Sequence, residues 1–193
     1  KADCEHNINS RRLPENFTAK GSYYMRDRVV IMGITGFSGG GDGEGIPRMI
    51  DKFRAEIGRP LGIPDRNLFH TKWNPTSNPN PTSAPAVGQL KKAIEIITPN
   101  PSYLAVIGHS FGAWAATRLS RALDSEPDFV GMIDLVYNAG AEHVFPRGAS
   151  VHNWYQDVGL PHGESLSHVP GVERHHVSMQ ETWDRASICS VRL

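Results

Sequence analysis

The chain has 193 residues, of which 39% are hydrophobic and 21% charged, with 20 basic and 20 acidic side chains. That length buries enough surface for one core without metals or disulfides, and the composition is that of a globular domain, not a disordered chain. A net charge of zero with no local Lys/Arg cluster excludes the electrostatic footprint of a nucleic-acid binder, and no apolar run approaches the roughly 18 residues of a membrane span.

Residues 1–28 read as a polar N-terminal arm on a single domain that takes up the whole of 1–193. The chain starts at Lys1 without an apolar signal core, which reads as a processed mature form or a trimmed piece. Cys4 and Cys189 lie at opposite ends. They are either two separate thiols or one disulfide joining the termini, and a disulfide would favour a secreted or periplasmic setting.

Val29 to Ile34 is short, continuously apolar and followed by the glycine-rich run Gly36 to Gly43, so it reads as a buried strand. A helix follows, with Pro47 in the first turn, Ile46, Ile50, Phe53 and Ile57 along one face and Gly58 as its stop. Leu68 to His70 reads as a second strand, and Asn74 to Pro85, rich in Pro, Asn, Ser and Thr, as a loop. Val87, Leu90, Ile94 and Ile97 then give an amphipathic helix ending before Pro99. Tyr103 to Ile107 is a third strand, with a helical pattern through Ala116, Leu119 and Leu123 after it and a further strand at Phe129 to Val136. From Asn138 to Gly171 the pattern is irregular, with one strand near Val151 to Tyr155, and Ser178-Met179-Gln180-Glu181 has the form of a capping box opening a last helix. Nearly all-apolar strands alternating with helices predict an α/β fold, a mostly parallel sheet flanked by helices on both faces.

The chemistry concentrates in Gly108-His109-Ser110-Phe111-Gly112, a G-x-S-x-G pattern between an apolar strand and a helix. In that setting the serine occupies a strained strand-to-helix turn, its hydroxyl is presented above the sheet, and the helix N-terminus points at it. The glycine run after the first strand is no Walker-type phosphate cradle, because Gly45-Ile46-Pro47 stands where Gly-Lys-Ser/Thr would be needed.

With these motifs, the segment from about Val29 to Ile188 resembles an α/β-hydrolase of the small lipase and esterase kind. The resemblance implies a minimal hydrolase domain, and the small size leaves little material for a separate lid domain. The resemblance also implies an oxyanion donor in Thr35-Gly36-Phe37-Ser38-Gly39-Gly40, with threonine where the family usually has histidine; the backbone N–H groups of Phe37 and Phe111 would flank the developing charge. Two such preorganised donors make physical sense for a tetrahedral intermediate in any case. Asn153-Trp154-Tyr155-Gln156 and His176-Val177-Ser178-Met179 are also similar to a subgroup of bacterial hydrolases.

A serine hydroxyl needs a base, and the base an acid that fixes its tautomer. Asp134 and Asp157 are the acid candidates after Ser110. Asp134 is preferred, since a carboxylate inside the apolar run Met132 to Val136 needs a partner. The family order, Ser then acid then His, implies a base before the capping box: His176, with His175 close behind. A metal built from His162, His168, His175, His176 and Glu164 is not expected, because their spacings match no paired-ligand signature, and no cofactor is called for. The expectation is a serine hydrolase of carboxylic esters acting on a small ester or lipid. The alternatives are a thioesterase or amidase with the same triad, or a non-catalytic binding protein on the same fold.

Overall fold

The computed structural model describes residues 25–36, 45–74, 84–136, 145–157 and 163–177. Cys4, Cys189 and the Ser178 to Glu181 capping box lie outside the described residues.

Six strands form one parallel sheet: β1 (Val29–Thr35), β2 (Leu68–Lys72), β3 (Tyr103–His109), β4 (Phe129–Ile133), β5 (Ser150–Tyr155) and β6 (Val172–His176), in the order β2-β1-β3-β4-β5-β6. Parallel neighbours require crossovers, and three helices supply the first ones: α1 (Gly45–Phe53), α2 (Ala84–Ile97) and α3 (Phe111–Ala122). Strand alternation sends successive side chains to opposite faces, and alternate strand residues fall into separate core clusters. Ile31, Ala105 and Ile107 pack with Ile46, Met49, Ile50 and Phe53 of α1. Val30, Met32, Ile34, Leu104 and Val106 pack with Leu90 and Ile94 of α2 and Ala116 and Leu119 of α3. A third cluster joins Trp114 to Met132, Leu135 and Leu166, and the Trp114 indole donates to the Val136 carbonyl at 2.7 Å. This is the α/β architecture that the run of apolar strands predicts.

The differences from expectation have local causes. The first helix does not stop at Gly58: it passes through a π-helical stretch, Arg54–Gly58, and one α turn, Arg59–Leu61, and ends at Gly62 with φ 68. Gly58 is buried beside the Leu68 side chain, so it serves close packing, and the left-handed stop falls to the next available glycine. The fourth strand ends at Ile133, short of Val136, because Asp134 turns to φ 48. The pair His175 and His176, which the sequence places only before the capping box and in no predicted element, lies at the end of β6, whose sequence Val-Glu-Arg-His-His carries little of the apolar signal of a strand. Its backbone is held by parallel pairing with β5, Val151 opposite Val172 through Tyr155 opposite His176.

The sheet contains one reversal of strand order. The chain runs from β1 outward to β2 and then returns across β1 to β3, so the order reverses between β1 and β3. In open parallel sheets the crevice beyond the carboxyl ends of the strands at such a switch point is the binding site. Among the described residues, no helix is long and apolar enough to cross a membrane.

Candidate active site

Both carboxyl ends at the switch point carry motif residues. Gly36 follows β1 and Ser110 follows β3, and a Cβ added at Gly36 would lie 2.8 Å from the Ser110 Cβ and 3.0 Å from the His109 carbonyl oxygen. Only a bare backbone fits there, so the segment after β1 runs directly against the serine. The Phe37 amide that follows it lies outside the described residues.

Ser110 has φ 56 and ψ −123, a conformation normally reserved for glycine at the first central position of a type II′ turn. Its neighbours explain how the chain tolerates this. A Cβ on Gly108 would meet the Gly112 carbonyl oxygen at 2.1 Å, and one on Gly112 would meet the Ile34 carbonyl oxygen at 2.2 Å. The strand end and the helix start are therefore pressed together with no room for side chains, and the reversal is concentrated at residue 110. The Ser110 amide donates to the Ile133 carbonyl at 2.9 Å, which fixes the turn to the end of β4. Its side chain makes no capping hydrogen bond to α3, and the residue is only partly buried. The Phe111 amide opens the first turn of α3, where backbone N–H groups have no intrahelical acceptor. The Phe111 ring packs against Trp73 with centroids 5.3 Å apart.

His109 turns its ring toward Gly36, and a Cβ there would lie 3.3 Å from the His109 Nδ1. Burial lowers its pKa to about 4, so the imidazole is neutral near pH 7.

Asp134 occupies the neighbouring strand end and is the second non-glycine residue forced to positive φ, at 48. Its amide donates to the Trp154 carbonyl at 2.7 Å, and its carboxylate Oδ1 accepts from the buried Gln156 Nε2 at 3.4 Å. Gly163 presses on it: a Cβ there would lie 2.6 Å from Oδ1. The carboxylate is thus positioned from two sides, and it stands one strand from Ser110.

The two histidines at the end of β6 point to opposite faces, as alternation requires. His175 lies over Trp154, ring centroids 4.9 Å apart, with its Nε2 3.0 Å from the His152 Nδ1. His176 is half exposed and sits edge-on to Tyr155, with its Nε2 2.9 Å from the Asp157 Oδ1. The structure therefore brings Ser110 and Asp134 to adjacent strand ends and joins His176 to the other acid candidate, Asp157. With β4 and β5 between them, β3 and β6 are about 14 Å apart at the usual strand spacing. Among the described residues, no imidazole is hydrogen-bonded to the Ser110 hydroxyl. Of the residues weighed as metal ligands, His168 packs on Phe145 and His162 lies outside the described residues.

The sequence singles out Gln156 only as part of a motif and gives no hint that it positions Asp134, nor of the grouping of His152 and Glu173 with His175 beyond the spacing of Glu173 and His175 on one strand face.

The chain matches no model of a known protein family, and a search of curated protein sequences gives no match.

Proposed function

We propose that this protein is a serine hydrolase of carboxylic esters resembling the α/β-hydrolases, with Ser110 as its nucleophile. The observation that carries the reading is the backbone of Ser110, held at φ 56 and ψ −123 between two glycines that admit no side chain, at the switch point of a parallel sheet. A non-glycine residue in that conformation costs on the order of 1 to 3 kcal/mol, and such strain persists where a site depends on it. The β4 end repeats the pattern with Asp134.

On this reading the Ser110 Oγ attacks the ester carbonyl carbon as His176 takes its proton. Asp134 holds the imidazole in the right tautomer, and the proton returns to the alkoxide as it leaves with the broken C–O bond. Water, deprotonated by the same imidazole, then hydrolyses the acyl-enzyme. The Phe111 amide, with that of Phe37, receives the oxyanion. The structure holds His176 at the end of β6 against Asp157, three strands from Ser110, so on this reading the end of β6 must itself shift toward Asp134 for the imidazole to serve the serine. Asp134 is preferred over Asp157 as the working acid because it is fixed by Gln156 and Gly163, whereas the Asp157 side chain is 67% exposed.

A fluorophosphonate probe tests the proposal. The wild type is expected to label at one serine and to hydrolyse p-nitrophenyl esters, with both lost in Ser110→Ala and turnover lost in His176→Ala. A folded wild type that neither labels nor turns over any ester or thioester would leave a non-catalytic binding protein on the same fold.

A further inference from the structure

The face of β5 and β6 turned away from His176 carries a second group of chemically able side chains. His152 on β5 and Glu173 and His175 on β6 present one ligand atom each within a mutual 4.8 Å. The His152 Nδ1 and His175 Nε2 are 3.0 Å apart. The Glu173 carboxylate faces both, with Oε2 3.6 Å from the former and Oε1 3.5 Å from the latter.

We propose that these three residues bind a divalent transition-metal ion, with Zn²⁺ the best fit. The distances carry the argument. A direct N–H···O hydrogen bond spans about 2.7 to 3.2 Å, so the carboxylate sits too far from either ring to be bonded to it, yet both oxygens are turned toward the nitrogens. Around a tetrahedral ion with bonds of about 2.0 to 2.1 Å, neighbouring ligand atoms are separated by roughly 3.3 Å; the two ring nitrogens are 3.0 Å apart, each has a different Glu173 oxygen at 3.5 to 3.6 Å, and with one atom per residue the set lies within 4.8 Å, so a small turn of the carboxylate brings one oxygen into place. Two imidazoles and one carboxylate are a borderline donor set that suits Zn²⁺ over Mg²⁺ or Ca²⁺, and they leave a tetrahedral ion one position for water.

The surroundings are built to hold the rings. His152 is only 9% exposed, and its ring stacks on Phe129, with centroids 5.1 Å apart, and on Trp154 at 5.5 Å. Its other nitrogen, Nε2, lies 2.8 Å from the Ser150 hydroxyl. With Nε2–H donating to that hydroxyl, Nδ1 carries its lone pair, which meets the His175 Nε2 at 3.0 Å and which an ion would take over, the outer-shell arrangement that metal-binding histidines use. The His175 ring is fixed by stacking on both Trp154 and His152. Because the ligands come from two adjacent strands, an ion there clamps the edge strand β6 to β5.

Titration calorimetry of the metal-stripped full chain with ZnCl₂ tests this, beside the visible absorption of Co²⁺ as a geometry probe. One equivalent of Zn²⁺ and tetrahedral Co²⁺ bands are expected, and at a hundredfold excess over Kd the melting temperature should rise by roughly 5 to 10 °C. His175→Asn and the surface change Glu173→Gln should each weaken Zn²⁺ binding tenfold or more, while His168→Asn leaves it unchanged. Absence of binding at micromolar Zn²⁺, or binding that survives both substitutions, would overturn the proposal. None of these readouts depends on ester hydrolysis.

Discussion

Replacing Ser110 by glycine should stabilise the protein relative to Ser110→Ala while abolishing turnover in both. The comparison isolates the backbone, because each variant removes the hydroxyl and that hydroxyl makes no capping bond to α3. Alanine keeps a Cβ at φ 56 and ψ −123 and so keeps the strain, about 1 to 3 kcal/mol; glycine relieves it. Against this stands the greater freedom of glycine in the unfolded chain, about 0.4 to 1 kcal/mol. The net difference is roughly 0 to 2.6 kcal/mol in favour of Ser110→Gly, or up to several °C in melting temperature for a chain of this size. Urea denaturation of the two variants measures it, with equal m-values as the check that only stability has changed. Should Ser110→Gly prove the less stable by 1 kcal/mol or more, the turn is not strained, and the main support for a nucleophile there is gone.

The other predictions address the groups around that turn. His109 has its pKa lowered by burial from 6.5 to about 4, so as pH falls below 6.5 the unfolded chain takes up a proton that the folded one refuses. Stability is therefore unaffected above pH 6.5 and lost between 6.5 and 4, with roughly 2.5 kcal/mol gone by pH 4.5; His109→Gln should flatten that limb, and parallel curves for the two proteins would count against it. Gly112→Ala drives a Cβ to 2.2 Å from the Ile34 carbonyl oxygen, a backbone atom that cannot rotate aside, and should cost roughly 2 kcal/mol or more in denaturant titration; a near-neutral result would mean that β1 and α3 are not so closely pressed. Asp134→Asn should lower kcat about 10⁴-fold and Asp157→Asn less than about tenfold; the opposite ranking moves the acid to the end of β5.

The parts of this architecture that the sequence makes legible are those where one force dominates. Val30 to Ile34 and Leu104 to Ile107 are buried on both faces, and continuous apolar runs announce that directly. The serine turn is legible because sterics leave glycine as the only residue for positions 108 and 112. Strand β6 is different: Glu173, Arg174 and His176 are exposed, its order comes from pairing with β5, and pairing is a tertiary contact that leaves little trace in hydropathy. For the same reason the His152, Glu173 and His175 grouping cannot be read from spacing, since one ligand lies on a neighbouring strand and register alone brings it across. The choice between Asp134 and Asp157 likewise depends on how far each strand end stands from Ser110, a distance that chain order does not encode.

The two sides of the switch point differ in chemistry, and the difference bears on how an ester would lie. Toward β4 and β5 the strand ends carry Asp134, Gln156 and Asp157, all polar and arranged in hydrogen bonds. Toward β2 they carry Trp73, whose amide donates to the Thr35 carbonyl at 3.2 Å and whose ring meets Phe111. A carbonyl held over Ser110 with its oxygen at the α3 N-terminus therefore has ionisable groups on one side and the partly buried Phe111 ring, backed by the core residue Trp73, on the other. Proton transfer to the leaving alkoxide needs the polar side, so on this reading the acyl chain lies along Phe111. Burial of each methylene against that ring contributes at most about 0.8 kcal/mol, which favours longer acyl groups in kcat/KM until the ring ends.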